Sequence, residues 1–248
     1  MRIAVEFHAG KLSGVSREPQ DNGESVRKLF VFVLVTAVAV PAHSQVRRRV
    51  PRVPEPSAWA TLSIGLFNAN DVSDGRTGSV WDFGRASNPQ YRIALEKAIS
   101  STASLGGTAS YVRAPFTYLG TGGESSCARC AAHLDIATLG ASFHVGGGIG
   151  LHQVIEASAG ALAYRNLERD DTNEKLAPTG GNVDPYFTFA YGFGYSLNPS
   201  AQVSIVQEFG LAIHERTGLT SEDSNTLTQR TLRLNFRYGF GNRVRTTR

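Results

Sequence analysis

Between Pro185 and Leu197 an aromatic or large apolar residue recurs at every second position: Phe187, Phe189, Tyr191, Phe193, Tyr195 and Leu197. The residues between them are Thr188, Ala190, Gly192, Gly194 and Ser196. A period of two puts one set on each face of a β-strand, whereas a helix would scatter both around its axis. A face this aromatic is an aggregation hazard in water. It needs a second sheet or a lipid bilayer to cover it.

The same period recurs along the chain. Leu62, Ile64 and Leu66 oppose Thr61, Ser63 and Gly65 in a strand over 58–67. Tyr91, Ile93 and Leu95 oppose Arg92, Ala94 and Glu96 over 90–99. Weaker alternation covers 103–118, with Pro115 marking a fraying end. Further strands are expected over 134–146, 151–165, 202–214 and 230–241. The segment 151–165 is rich in Ala, a helix former, and is assigned to a strand by its place in the hairpin rhythm. Long connections (68–89, 119–132, 166–183, 215–228) alternate with short ones (100–102, 147–150, 198–200). Eight strands with four long loops and three short turns fit an antiparallel up-and-down transmembrane β-barrel, with both termini on the periplasmic side.

The one continuous apolar run lies near the front. Arg27-Lys28 precede Leu29–Val40, and Pro41-Ala42-His43-Ser44 follows. A basic start, a core of about a dozen apolar residues and a small-x-small site form a signal-peptide pattern over 26–44, with cleavage expected after Ser44. The run is shorter than the ~20 residues a spanning helix needs. Residues 1–25 are neither apolar nor periodic, and translation is expected to begin at Val26. Residues 45–56 are rich in Pro and Arg and read as a periplasmic tether. The barrel is assigned to 57–248. Removing residues 1–44 leaves twenty basic and seventeen acidic residues, a net charge of +3. That is too mild and too dispersed for a nucleic-acid binder.

Eight strands enclose a lumen about wide enough to be filled by side chains. The inward set includes Arg92, Glu96, Glu156, Glu208, Arg233 and Arg237, and these are expected to neutralise one another, Glu208 pairing with Arg233 or Arg237. A plugged lumen is the leading expectation and a narrow gated pore its rival. On the signal peptide, the eight-strand rhythm and the closing strand Thr231–Phe240, the chain resembles the small outer-membrane barrels of the OmpA-barrel, OmpX and opacity-protein kind. The closing strand is similar to the signal read by the barrel-assembly machinery. It departs from that pattern in its polar, basic tail, Gly241–Arg248. The resemblance implies an outer-membrane location beside lipid and lipopolysaccharide, and roles as varied as adhesion and envelope integrity.

Cys127-Ala-Arg-Cys130 falls in the second long loop, where an oxidising surface favours a disulfide. With His133 the pair makes three of the four ligands a closed zinc site needs, so no metal is expected. A redox-active pair lacks the βαβ setting of thioredoxin-like proteins. Ser142, His144 and Glu156 would suit a lipid-modifying enzyme, but fall near the wrong rim and lack a His-x-Ser arrangement. His214-Glu215 lies near the outer rim with no evident nucleophile. Gly146–Gly150 reads as a turn and not a phosphate loop. Asp170–Glu174 reads as a solvated loop tip, without the glycine and spacing of a calcium loop. Arg47–Arg49 and Arg243, Arg245 and Arg248 add positive charge on the periplasmic side, where anionic lipid heads would be within reach. The expected function is that of a monomeric, cofactor-free, non-enzymatic barrel acting structurally or through its surface loops. A narrow pore, a surface enzyme and a soluble secreted β-protein are the alternatives.

Overall fold

The computed structural model describes residues 55–84, 86–120, 127–179, 182–214, 219 and 224–242. The expected signal peptide, residues 1–25, most of the tether, Glu215 and the terminal arginines lie outside the described residues. The chain forms β1 (Ala58–Ala69), β2 (Val72–Ser73), β3 (Val80–Asp82), β4 (Asn88–Ala98), β5 (Ala103–Leu119), β6 (Arg129–Val145), β7 (Gly150–Arg169), β8 (Asn182–Asn198), β9 (Ala201–Ile213) and β10 (Thr226–Phe240). Eight of these close a barrel in the order β1-β4-β5-β6-β7-β8-β9-β10, every neighbouring pair antiparallel. β10 returns to β1 in a continuous register from Ala58↔Phe240 to Ala69↔Gln229, so no edge is left unpaired.

The period-two pattern becomes two faces. β4, β8 and β10 alternate buried and exposed along nearly their whole length. The outward positions carry Leu62, Ile93, Phe193, Ile205, Leu234 and Tyr238, each about half exposed or more (Phe193 54%, Leu234 52%). Side chains of this size around a closed wall form the apolar band that lipid covers in barrels of this kind. The Ala-rich segment is the strand β7 and not a helix. There the wall also narrows: Gly140 and Gly160 are Cα partners across β6 and β7. A Cβ at Gly160 would come within 2.2 Å of the Leu139 carbonyl oxygen, so the two backbones could not sit this close with any other residue.

The connections 99–102, 146–149 and 199–200 lie at one end of the barrel, the turn end. Ser57 and Phe240 meet there through the Ser57 N–H donating to the Phe240 carbonyl at 3.1 Å. The longer connections lie at the opposite, loop end. Two expectations need correction here. β5 does not fray at Pro115: it continues to Leu119 with Pro115 opposite His133, and on its other side Pro115 falls between the pairing with β4, which ends at Val112, and that with β3, which begins at Thr117. The connection after β1 is not plain loop either. It contains β2 and β3, which pair with each other, and β3 joins the wall through Trp81↔Tyr118.

These short strands, with Leu176 from the connection after β7, fill the loop-end half of the lumen with apolar side chains. The plug is built from Phe67, Val72, Trp81, Phe83, Phe116 and Leu134 among others. A β-bulge helps to build it. Asn166 has φ of 51°, and the pairing jumps from Asp135↔Arg165 to His133↔Glu168. The extra residue turns Leu167 from its expected outward side onto the plug.

Leu234 projects outward near the middle of β10, and Asn235 projects inward beside it. Leu234→Arg should cost about 2–4 kcal/mol of folding stability, as for a lipid-facing cation near the bilayer midplane. Denaturant titration of the barrel in lipid vesicles measures this. An unchanged midpoint would mean that this face does not meet lipid.

Candidate functional site: the lumen and the loop-end cluster

The structure brings the six charged inward residues into two ion-paired groups along the lumen, Arg237 with Glu96, and Arg92 and Arg233 with Glu156 and Glu208. Towards the turn end, Arg237 donates to Glu96 at 2.8 Å and contacts Ser104, while its guanidinium lies 4.2 Å from the Trp59 ring centroid. Glu96 also accepts from Ser104 at 2.6 Å and Ser142 at 3.2 Å. Further in, Arg233 reaches both Glu156 and Glu208, the latter at 3.0 Å. Arg92 donates to Glu208 at 2.5 Å and to Thr108 at 2.7 Å. His144 lies 3.2 Å from Glu156, whose other contacts include Asn235. Of the two partners considered for Glu208, Arg233 is the one found; Arg237 pairs with Glu96 instead, because it lies nearer the turn end.

Three arginines face three glutamates, so each group is charge-balanced. Five of the six are buried, Arg233 to 1% exposure and Glu208 to 2%, and the Glu156 side chain is 12% exposed. A buried pair of this kind gives little net stability over an apolar filling, but losing one partner leaves a buried charge alone.

A second cluster sits at the loop end. His214 follows β9 directly and is fully buried between two aspartates. Its Nδ1 is 2.7 Å from Asp184 on β8, and its Nε2 is 2.9 Å from Asp74 in the connection between β2 and β3. Asp74 also accepts from the Thr77 N–H at 2.9 Å and the Thr77 hydroxyl at 2.6 Å. Trp81 and Tyr164 pack on the imidazole with centroids 5.2 and 5.3 Å away. Burial alone would lower the imidazole pKa. Hydrogen bonds and charge from Asp184 and Asp74 outweigh it and raise the value to about 9. Burial likewise pushes Asp74 up, and the bonds from His214 and Thr77 bring it below the ordinary carboxylate range. The cluster thus ties a connecting segment to the wall through one charged imidazole.

The remaining candidates are dispersed. Cys127 and Cys130 are bonded and lean on the plug. His133 is turned away from them: Nδ1 is 2.6 Å from Asp170, and Arg113 contacts Nε2. Among the described residues no group of His, Cys, Asp and Glu is arranged to hold a metal ion. Ser142 bonds to Glu96, whereas His144 bonds to Glu156, so the three do not form a nucleophile–base relay. Asp184 and His214 continue the inward parity of β8 and β9, and that parity was the available signal for their meeting. Asp74 and Trp81 carry no such signal because they lie in a connection.

Two outcomes are expected. Arg233→Met should destabilise the barrel by about 3–5 kcal/mol by leaving Glu156 and Glu208 short of a partner. Restoring Glu156→Gln in the same chain should recover part of that loss in denaturant titration. At the loop end the sign follows from a raised folded pKa. The imidazole's contribution is complete below its ordinary value of 6.5 and is lost as pH rises through about 9. With Trp59→Phe leaving Trp81 as reporter, Trp81 emission should shift to the red with a midpoint near pH 9. His214→Gln should abolish that midpoint.

No protein-family model matches the chain, and no curated protein matches it in sequence. Solved structures of similar architecture are outer-membrane proteins. Neisserial surface protein A is 12% identical, covering 74% of this chain and 97% of that one, at a TM-score of 0.46. The attachment invasion locus protein of Yersinia pestis, solved with the heparin analogue sucrose octasulfate, is 9% identical over 73% of this chain and 99% of that one, at 0.40. The outer membrane protease OmpT of Escherichia coli is 10% identical over 77% and 99%, at 0.39. The chain is thus similar in its small antiparallel barrel to outer-membrane proteins whose own roles differ.

Proposed function

We propose that this chain is an exported outer-membrane barrel that is non-conducting and non-enzymatic, and that works structurally or through contacts made at its loop end. One observation carries the reading. The outward face of the wall is apolar along its middle apart from Gln207 on β9, while inside the lumen is occupied twice over, by ion pairs towards the turns and by the apolar plug towards the loops. A wall of that kind belongs in lipid. A lumen filled in that way leaves the loop end as the surface on which the protein meets its surroundings.

In this reading the signal peptide is removed after Ser44, both chain ends lie in the periplasm beside the short turns, and the assembly machinery inserts the barrel through β10. The barrel is a monomer that takes lipid and lipopolysaccharide as its neighbours. Two measurements test it together. Protein from a purified outer-membrane fraction should begin at Gln45 and run anomalously fast on SDS gels unless boiled. The same protein in planar bilayers should give no discrete conductance steps. Reproducible steps would make it a pore, and recovery from the soluble periplasm with heat-independent mobility would make it a secreted β-protein.

A further inference from the structure

Beside the loop-end cluster the wall holds a cavity of about 300 Å³, at the small end of the ~300–1,000 Å³ usual for small-molecule sites. Its floor is apolar and aromatic: Trp81, Leu134 and Tyr164 are each at least 96% buried. Its rim is polar and cationic, with Arg165 and Lys175 exposed and Asn166 and Thr179 beside them.

Among the described residues no carboxylate is ion-paired with either cation. Asp135, opposite Arg165 in the ladder, bonds to Tyr111 and Asn166, while Asp184 is with His214 and Asp171 and Glu174 with Arg169. Glu168, opposite Lys175 in a backbone bridge, approaches His133 at 4.0 Å. On the floor, the Tyr164 hydroxyl is buried and faces the Asp184 carboxylate, so its ring and not its oxygen is what the cavity meets.

We infer that this cavity binds a small amphiphilic anion, its aromatic or short aliphatic part on Trp81, Tyr164 and Leu134 and its carboxylate between Arg165 and Lys175. Aromatic faces give an apolar ligand area and a preferred stacking geometry. The guanidinium of Arg165 suits a carboxylate's two oxygens, and the ammonium of Lys175 adds a second charge. The site does not require a conducting lumen, because it opens at the loop end above the ion pairs.

The test uses the full chain folded in nanodiscs, with Trp59→Phe so that Trp81 alone reports. The probe is 4-bromobenzoate, whose bromine quenches indole fluorescence; the control is the neutral 4-bromobenzyl alcohol. Quenching by the anion should saturate, and the neutral probe should need at least tenfold more to reach the same level. Arg165→Gln with Lys175→Gln should weaken the anion at least tenfold while preserving the heat-dependent gel mobility of the folded barrel. Tyr164→Phe should weaken both probes' quenching less than the double substitution weakens the anion's. Quenching that rises linearly with either probe is partition into lipid and overturns the site. So does equal binding of the neutral probe, or saturation unchanged by removing both cations.

Discussion

The closing ladder between β1 and β10 is the constraint on which the other features rest. Hydrocarbon offers no partner to a free N–H or carbonyl, so a sheet that meets lipid has to use both its edges. Once Ala58–Ala69 pairs with 229–240, every wall strand has two neighbours and the backbone is satisfied internally. The side chains are then sorted by parity alone. Even-numbered residues of β10 go to lipid and odd-numbered ones to the lumen, so a slip of one residue would put Arg233 in hydrocarbon and Leu234 among the glutamates. The ion pairs therefore oppose mis-registration more than they add stability. Their Coulombic gain is largely offset by desolvation, but a register that separates them has no compensation at all.

The lumen is filled by two different chemistries because two different parts of the chain reach it. Towards the turns the charged lining comes from the wall strands, and their inward residues balance one another: three arginines, three glutamates, and hydroxyls from Ser104, Thr108, Ser142 and Ser158. Towards the loops the wall is taller, since β5, β6 and β7 run for 17 to 20 residues against 11 to 13 for β4, β1 and β9. The taller side leaves room for β2 and β3 to fold inward, and Trp81 and Phe83 occupy what would otherwise be open lumen.

Parity also explains what could be read from the sequence. The wall strands, their faces and the six lumen charges follow from period two, since a residue's side is fixed as soon as its strand is. Partner choice does not follow, because it depends on depth and stagger around the wall. Glu96 meets Arg237 two strands away, across β1. The plug was illegible for another reason. Trp81 and Asp74 sit in a connection without periodicity, and Leu167 is on the lumen side only because the bulge at Asn166 reverses the alternation. A bulge costs one residue and leaves no distinctive composition. The aspartates about His214 fall between these cases: Asp184 and His214 lie on inward positions, but their meeting with Asp74 depends on how the connection folds.

The loop end is held only in part by the force that holds the wall. Backbone hydrogen bonds hold the wall, and they are indifferent to which residues line it. The connection carrying Asp74 and Trp81 shares that ladder where Val80–Asp82 pairs with 117–119; the rest is held by the pairing of Val72–Ser73 with Val80–Trp81, by apolar contact, and by the bond that the His214 imidazole donates to Asp74. The imidazolium offsets the carboxylate charge on either side of it, and that offset is lost as pH rises through about 9. The three groups lie behind Trp81 and Tyr164, whose other side forms the floor of the cavity bearing Arg165 and Lys175. A change in the protonation of His214 would therefore reach the cavity through the two rings packed on it. The closing ladder of β1 with β10 involves none of these residues.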